Sequence, residues 1–400
     1  MTLITTNDAL RDFCAPLKQA TYITVDTEFI RERTYWPVLC LLQIGGPDGA
    51  AAVDALADGI DLSPVFDLLA DPNILKVFHA ARQDMEIFCR AMDACPAPVF
   101  DTQVAAMVCG FGDSVGYETL VAKLARKNVD KSSRFTDWSL RPLSERQINY
   151  ALSDVVHLRT VYEKLQARLQ KNGRLSWVAS EMEALQDRGL YMTDPQEAYE
   201  RVKLRKPTPR LLAVLREIAA WRETEAQRAD VPRNRVLRDE SLVEIAHHPP
   251  KDVHGLERIR GLSKKMAEGW QGRQILEAVQ RGLALPEADC PQPEERAPLP
   301  RGIGPVADLL KVMLKLAAEE SGVAQRLIAT TDDIDQIAAF GDKAEVPALK
   351  GWRRDLFGEA ALRLRAGEVG LAVRGHHLTI VDLKTGAAAP IPRDSSEDTN

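Results

Sequence analysis

The stretch Thr24–Val25–Asp26–Thr27–Glu28–Phe29 closes an apolar, β-branched run, Tyr22–Ile23–Thr24–Val25, and sets two acids one residue apart. Side chains alternate along a strand, so Asp26 and Glu28 leave it on the same side. Two carboxylates on one face repel each other, and removing them from water is costly. A divalent cation relieves both costs, and an acidic, all-oxygen ligand set suits magnesium or manganese. A D-x-E triplet standing alone is most often a solvated strand end, because such tripeptides recur by chance. The reading therefore depends on partners further along the chain.

Those partners sit in an α/β pattern. Residues 3–19 alternate as a lead-in helix. Strands are expected at 21–26, 38–44 and 50–54, separated by short turns such as Gly45–Gly46–Pro47–Asp48–Gly49, which reads as an antiparallel meander. A helix over 64–70, a strand over 74–78, a helix over 82–92 and a strand over 98–101 follow. Helical pattern broken around Gly110–Gly116 covers 102–126, and a long helix runs from Ser144 to about 170. Strands first, then strands alternating with helices, predict a mixed sheet with helices on its faces. Asp84 falls where the fourth strand hands over to a helix, and the dipole there also favours a first-turn acid. Asp101 ends the fifth strand and, with Thr102 behind it, reads as a helix N-cap. Asp154 lies four residues after Tyr150, so the two share a helix face. Tyr150 alone would also pass as a half-buried aromatic.

The order D-x-E, then D, then Y-x-x-x-D resembles the tyrosine-bearing branch of the DEDD exonuclease superfamily. Val25–Asp26–Thr27–Glu28–Phe29, Arg33–Thr34–Tyr35–Trp36–Pro37, Leu42–Gln43–Ile44 and Phe78–His79–Ala80 narrow the resemblance to the bacterial ribonuclease D family. Phe100–Asp101–Thr102–Gln103, Asp137–Trp138–Ser139–Leu140–Arg141–Pro142–Leu143 and Tyr150–Ala151–Leu152–Ser153–Asp154–Val155 extend it over residues 20–165. The resemblance implies a ribonuclease H-like fold and a 3′→5′ exoribonuclease using two Mg2+ or Mn2+ ions. By that likeness Asp26 bridges both ions, Glu28 and Asp154 complete one site, and Asp84 serves the other through water. Tyr150 orients the attacking water; a phenol with a pKa near 10 is a poor base unless metal does most of the activation. Thr27, Phe29 and Gln43 are expected beside the scissile end, with Phe29 stacking on a base or packing in the core. His79 either contacts phosphate or is a satisfied strand-end histidine. In the 127–141 loop, Lys127, Lys131, Arg134 and Arg141 alternate with Phe135 and Trp138, a mixture that suits a single strand.

Four hundred residues predict two or three domains, and 45% apolar with 28% charged residues is ordinary for globular protein. No apolar run spans a bilayer and the start, Met1–Thr6, shows no basic n-region or long apolar core of a signal peptide, so a cytoplasmic location is expected. Six scattered cysteines without CxxC spacing read as reduced core residues. The net charge of −6 is uneven: residues 201–285 hold 18 Lys+Arg and 11 Asp+Glu, a net of +7, which leaves −13 elsewhere. An acidic catalytic part joined to a basic module favours a polyanionic substrate.

Arg205–Lys206–Pro207–Thr208–Pro209–Arg210 marks the end of a catalytic domain at 204. Short helices at 210–228, 239–247, 253–260, 263–270 and 272–282 follow. Phrases such as Val231–Pro232–Arg233 and Arg260–Gly261–Leu262–Ser263 resemble the helical domain shared by RecQ-type helicases and ribonuclease D, here 205–285. Lys264 and Lys265 are its expected nucleic-acid contacts. A Pro-rich linker at 286–300, a second, degenerate copy at 301–385 with helices at 305–320, 322–329, 331–340 and 352–365, and a disordered tail at 386–400 complete the plan. Leu371 to Leu383 looks strand-like and departs from an all-helical module.

The resemblance points to a monomeric enzyme acting on the 3′ ends of tRNA precursors and other structured RNAs. A proofreading-type DNA exonuclease and a catalytically inactive RNA-binding protein are the alternatives. Every proposed metal ligand precedes 204, so a chain ending near Leu204 is expected to keep cleavage of short single strands.

Overall fold

The computed structural model describes residues 2–130, 133, 136–293, 298–385 and 388–389. Arg134, Lys131 and Phe135 of the expected strand-binding loop lie outside the described residues, as does the tail apart from Ala388 and Ala389.

The first strands are β1 (Thr2–Ile4), β2 (Tyr22–Ile30), β3 (Val38–Gly46) and β4 (Gly49–Asp54). After helix α2 (Ser63–Ala70) come β5 (Leu75–Phe78), α3 (Arg82–Ala91), β6 (Val99–Asp101), α4 (Thr102–Val108) and the short α5 (Tyr117–Leu120). Among the described residues these strands form one six-stranded sheet in the order β1–β4–β3–β2–β5–β6. The meander β2–β3–β4 is antiparallel as expected, whereas β1–β4, β2–β5 and β5–β6 are parallel. The lead-in differs from its reading. Thr2–Ile4 pairs with β4, Leu3 opposite Ala52, and helix α1 covers only Asn7–Leu17. A three-residue apolar start carries no period of its own, and the open edge of β4 decides it.

β2 is the pivot of the sheet. It pairs with β5 only through Thr24, opposite Val77, but stays paired with β3 up to Ile30. Beyond Thr24 one edge of β2 has no strand beside it among the described residues. A crevice opens there, at the carboxyl ends of β5 and β6, where strand order changes direction.

Two apolar layers hold the sheet. Ile23, Val25, Leu42, Ile44 and Val53 face Leu10, Leu68, Met85 and Phe88 on one side. The other side is covered by α6 (Glu145–Lys171), which starts at a capping box between Ser144 and Gln147. Thr24 Oγ1 donates to the Val155 carbonyl at 2.8 Å, binding α6 to β2. A side chain at Gly45, opposite Thr24, would strike that hydroxyl, so the contact needs glycine.

Helix α7 (Leu175–Ala184) leads to a helical second half. There α8 (Pro209–Ala229), α10 (Asp239–His247) and α13 (Trp270–Ala284) close around Leu215, Ile218, Leu242, Ile245, Ile275 and Val279, with α9 (Arg233–Val236) beside them. Ala198 and Val202, which precede the expected boundary at 204, pack in this helical core. Helix α12 (Lys264–Glu268) belongs to the same bundle. A third core gathers Leu310, Met313, Ile337 and Phe357 under a hairpin of β7 (Val369–Arg374) and β8 (His377–Asp382). The strand-like reading of 371–383 thus becomes two strands, and Ala388–Ala389 pairs with β8 inside the stretch expected as tail. Trp177 of α7 stacks on Trp352 of this part, ring centroids 4.7 Å apart.

One cysteine expectation is corrected. Cys89 at the end of α3 forms a disulfide with Cys95, because the turn after the helix brings their Cα atoms to 4.2 Å. Cys14, Cys40, Cys109 and Cys290 are free and buried, as read.

Candidate active site

The alternation of β2 carries Asp26 and Glu28 into the crevice, and a register shift follows between Glu28 and Phe29. α6 brings Asp154 to the same place, one helical turn beyond Tyr150. One carboxylate oxygen from each of Asp26, Glu28 and Asp154 lies within 4.8 Å of the others. Asp84, in the first turn of α3, is buried and accepts a hydrogen bond from the Thr27 hydroxyl, across the crevice from β2. All four acids and Tyr150 line one open cavity of about 1100 Å³.

Electrostatics favour a cation here. Burial pushes the Asp26 carboxyl up to about 7. Burial, with the neighbouring Asp26 charge adding to it, raises Asp84 well above the usual carboxylate range. Carboxylates this costly to ionise bare take a proton or a positive ion. Oxygen donors alone fit a hard divalent cation, so the residues present suit the group that the D-x-E reading required.

The surrounding residues divide. Thr27, Phe29, His79 and Trp138 line the cavity. His79 Nδ1 is 3.0 Å from the Thr102 hydroxyl, and burial holds its pKa below the ordinary value, so it presents a neutral ring. Trp138 is nearly buried and stacks on Tyr150 at 6.1 Å. Gln43 does not reach the cavity wall; it is fully buried in β3, opposite Asp26. The expectation that it touches the scissile end is therefore corrected. Arg141 is also withdrawn from strand binding. Its guanidinium holds Asp54 through two bonds of 2.8 and 2.6 Å and donates to the Cys40 and Trp138 carbonyls, which pins the loop. Lys264 and Lys265 start α12 on the exposed surface, and neither lines the cavity. Asp101 caps α4 and also accepts from the Ala80 and Ala81 amides, which matches the N-cap reading.

Sequence reasoning missed Tyr117. It lines the cavity, its hydroxyl donates to the Asp154 carbonyl, and its ring lies 5.4 Å from that of His79. Its only local signal was its place just after the Gly110–Gly116 break. Also missed was the support of the rim. Arg31–Thr34 line the cavity, and the next residues dock on α8: Asp230 accepts from the Tyr35 and Trp36 amides at 3.1 and 3.0 Å. The buried Glu223 carboxylate receives the Tyr35 hydroxyl and both arms of Arg233, at 2.5 and 2.7 Å.

A family model for 3′-5′ exonucleases matches residues 1–170, and the HRDC domain model matches 212–279. Ribonuclease D of Granulibacter bethesdensis is 50% identical over 381 residues, covering 95% of this chain and 96% of that protein. The chain belongs to the ribonuclease D family. Ribonuclease D of Acidiphilium cryptum is likewise 50% identical, over 95% of this chain and 97% of its own. The crystal structure of Escherichia coli RNase D, described as an exoribonuclease involved in structured RNA processing, superimposes with a TM-score of 0.78 at 32% identity, covering 91% of this chain and 98% of that one. The mixed sheet with flanking helices, followed by helical parts, is thus the ribonuclease D architecture, and the enzyme class is that of a 3′-5′ exoribonuclease. Its substrate is nucleic acid, and among the described residues no helix is long and apolar enough to cross a membrane.

Proposed function

We propose that this member of the family trims the 3′ ends of tRNA precursors and other structured RNAs, releasing nucleoside 5′-monophosphates, as a cytoplasmic monomer with two Mg2+ or Mn2+ ions. The observation that carries the reading is the convergence of Asp26, Glu28 and Asp154 within 4.8 Å at an open cavity. Two such ions, when bound, supply charge stabilisation to the attacking and leaving oxygens of an in-line displacement.

The chain's own residues do the rest. Asp26, Glu28 and Asp154 present oxygens to one point, and Asp84, held by Thr27, offers a fourth acid on the facing side. Tyr150 projects beside Asp154 and is braced by Trp138, so its hydroxyl is aimed rather than free to swing. It orients a water for attack on the terminal phosphodiester. Phe29 and the neutral His79 ring line the place of the terminal nucleotide. The segment 201–285, with its net charge of +7, adds attraction for phosphate.

Incubation with a 3′-extended tRNA, a matched DNA, and the same RNA circularised or 3′-phosphorylated tests the proposal, each with and without metal. Mononucleotide release from the free 3′ end of RNA alone, abolished by EDTA, is expected. Preference for DNA would move the reading to a DNA exonuclease, and cuts within the circle would make it an endonuclease.

A further inference from the structure

Gln43 stands directly across from Asp26 in the β2–β3 ladder, with Ala52 of β4 on its other side. Opposed residues of an antiparallel pair leave the sheet on the same face, with Cβ atoms about 4.5–5.5 Å apart. Gln43 therefore shares the face of Asp26, the one that α6 covers. Leu41 and Ala52 beside it belong to an apolar layer with Ala151 and Leu152. Gln43 has no exposed surface, and neither its amide nitrogen nor its amide oxygen has a hydrogen-bond partner among the described residues.

Buried polar groups are almost always paired, and an unpaired amide in an apolar layer costs stability that a methionine of similar volume would not. What sets this position apart is its neighbour, a half-buried carboxylate. Glutamine reaches one carbon further from the backbone than aspartate does, enough to span the gap between opposed Cβ atoms.

We propose that Gln43 is a positioning residue: its carboxamide donates to the Asp26 carboxylate when that group holds a divalent cation. The bond fixes which oxygen faces the metal, as outer-shell partners of metal-bound carboxylates do. The proposal rests on Asp26 being a cation ligand, and the experiment separates the two.

Gln43→Met keeps the volume and removes the amide. Measured on the full chain, it should raise Tm without metal, by about 2–4 °C. It should weaken Mn2+ binding in calorimetric titration and lower kcat on a short 3′ single strand, each about 10–100-fold, with KM little changed. A packing role moves Tm and Mn2+ affinity down together, so opposite signs are the signature. Wild-type Mn2+ affinity and kcat in Gln43→Met would overturn the proposal. So would a lowered Tm, or failure of both Gln43→Met and Gln43→Leu to fold. Wild-type protein that binds no Mn2+ would instead overturn the metal-site reading itself.

Discussion

Asp26 is the residue whose surroundings ask most of it. Its carboxyl, raised to about 7 by burial, binds a proton in the folded chain at pH values where the unfolded chain, near 3.9, has lost it. The folded state therefore holds more protons between those values, and stability without metal should fall as pH rises from about 4 to about 7. Thermal melts in EDTA at pH 5 and pH 8 check the sign, and Mn2+ added at pH 8 should restore the loss. Asp26→Asn should reduce that pH dependence, leaving the part that the buried Asp84 contributes, abolish hydrolysis and leave RNA binding nearly intact. Residual activity above a trace would remove Asp26 from the metal site. Tyr150→Phe keeps the ring against Trp138 and should lower kcat about 10²–10⁴-fold, less than Asp154→Asn does, with Mn2+ affinity unchanged. A wild-type rate would leave Tyr150 a structural aromatic. At this scale the sequence was most legible where chemistry follows local spacing. Asp26 and Glu28 are two apart on a strand, and Tyr150 and Asp154 four apart on a helix. Tyr117 and the burial of Gln43 depend on which distant element arrives opposite, and no spacing records that.

Among elements, α6 and β2 must keep their mutual position, since each carries part of the acidic cluster. The Thr24 hydroxyl on the Val155 carbonyl holds them, above the space left by Gly45. Thr24→Val keeps the shape and removes that bond, at a cost of about 1 kcal/mol. Chemical denaturation should show that cost, and single-turnover rates should fall by a larger factor than stability alone accounts for, because Asp154 shifts against Asp26. A rate equal to wild type would show that the cluster tolerates the slack. The meander, the long helix and the alternating strands were readable because their apolar periods are several residues long. β1 was not, since its three residues become a strand only through the edge of β4. The loop at 127–141 was read from composition alone, and Arg141 turned out to be committed to Asp54.

At the scale of the molecule, the helical half is more than a basic attachment. Its α8 and the capping Asp230 that follows supply carboxylates to Tyr35 and Trp36, directly after the Arg31–Thr34 rim. A chain ending near Leu204 is still expected to keep cleavage of short strands, but at a reduced rate. Such a chain bares Tyr35 and Trp36 and strips two amides of their acceptor, so its rate on short strands should fall as well as its affinity for tRNA. Glu223→Gln in the full chain should share the rate effect in milder form; a wild-type rate in both would show that the rim holds itself. Lys264→Ala with Lys265→Ala tests the charge separately. If both touch phosphate, the slope of log K against log[salt] should shrink by about 0.7–0.9 for each contact, with kcat unchanged. An unchanged slope would leave that surface for a protein partner.

Beyond Thr24 the edge of β2 away from β3 has no strand beside it among the described residues, an edge of the kind onto which a foreign polypeptide strand can add. The bulge after Glu28 twists that row out of line, and Arg31, Glu32 and Arg33 follow it at the mouth of the crevice. The same few residues that shape the mouth of the groove thus guard it against self-association. Replacing all three by alanine should bring on concentration-dependent clustering in light scattering before any loss of Tm.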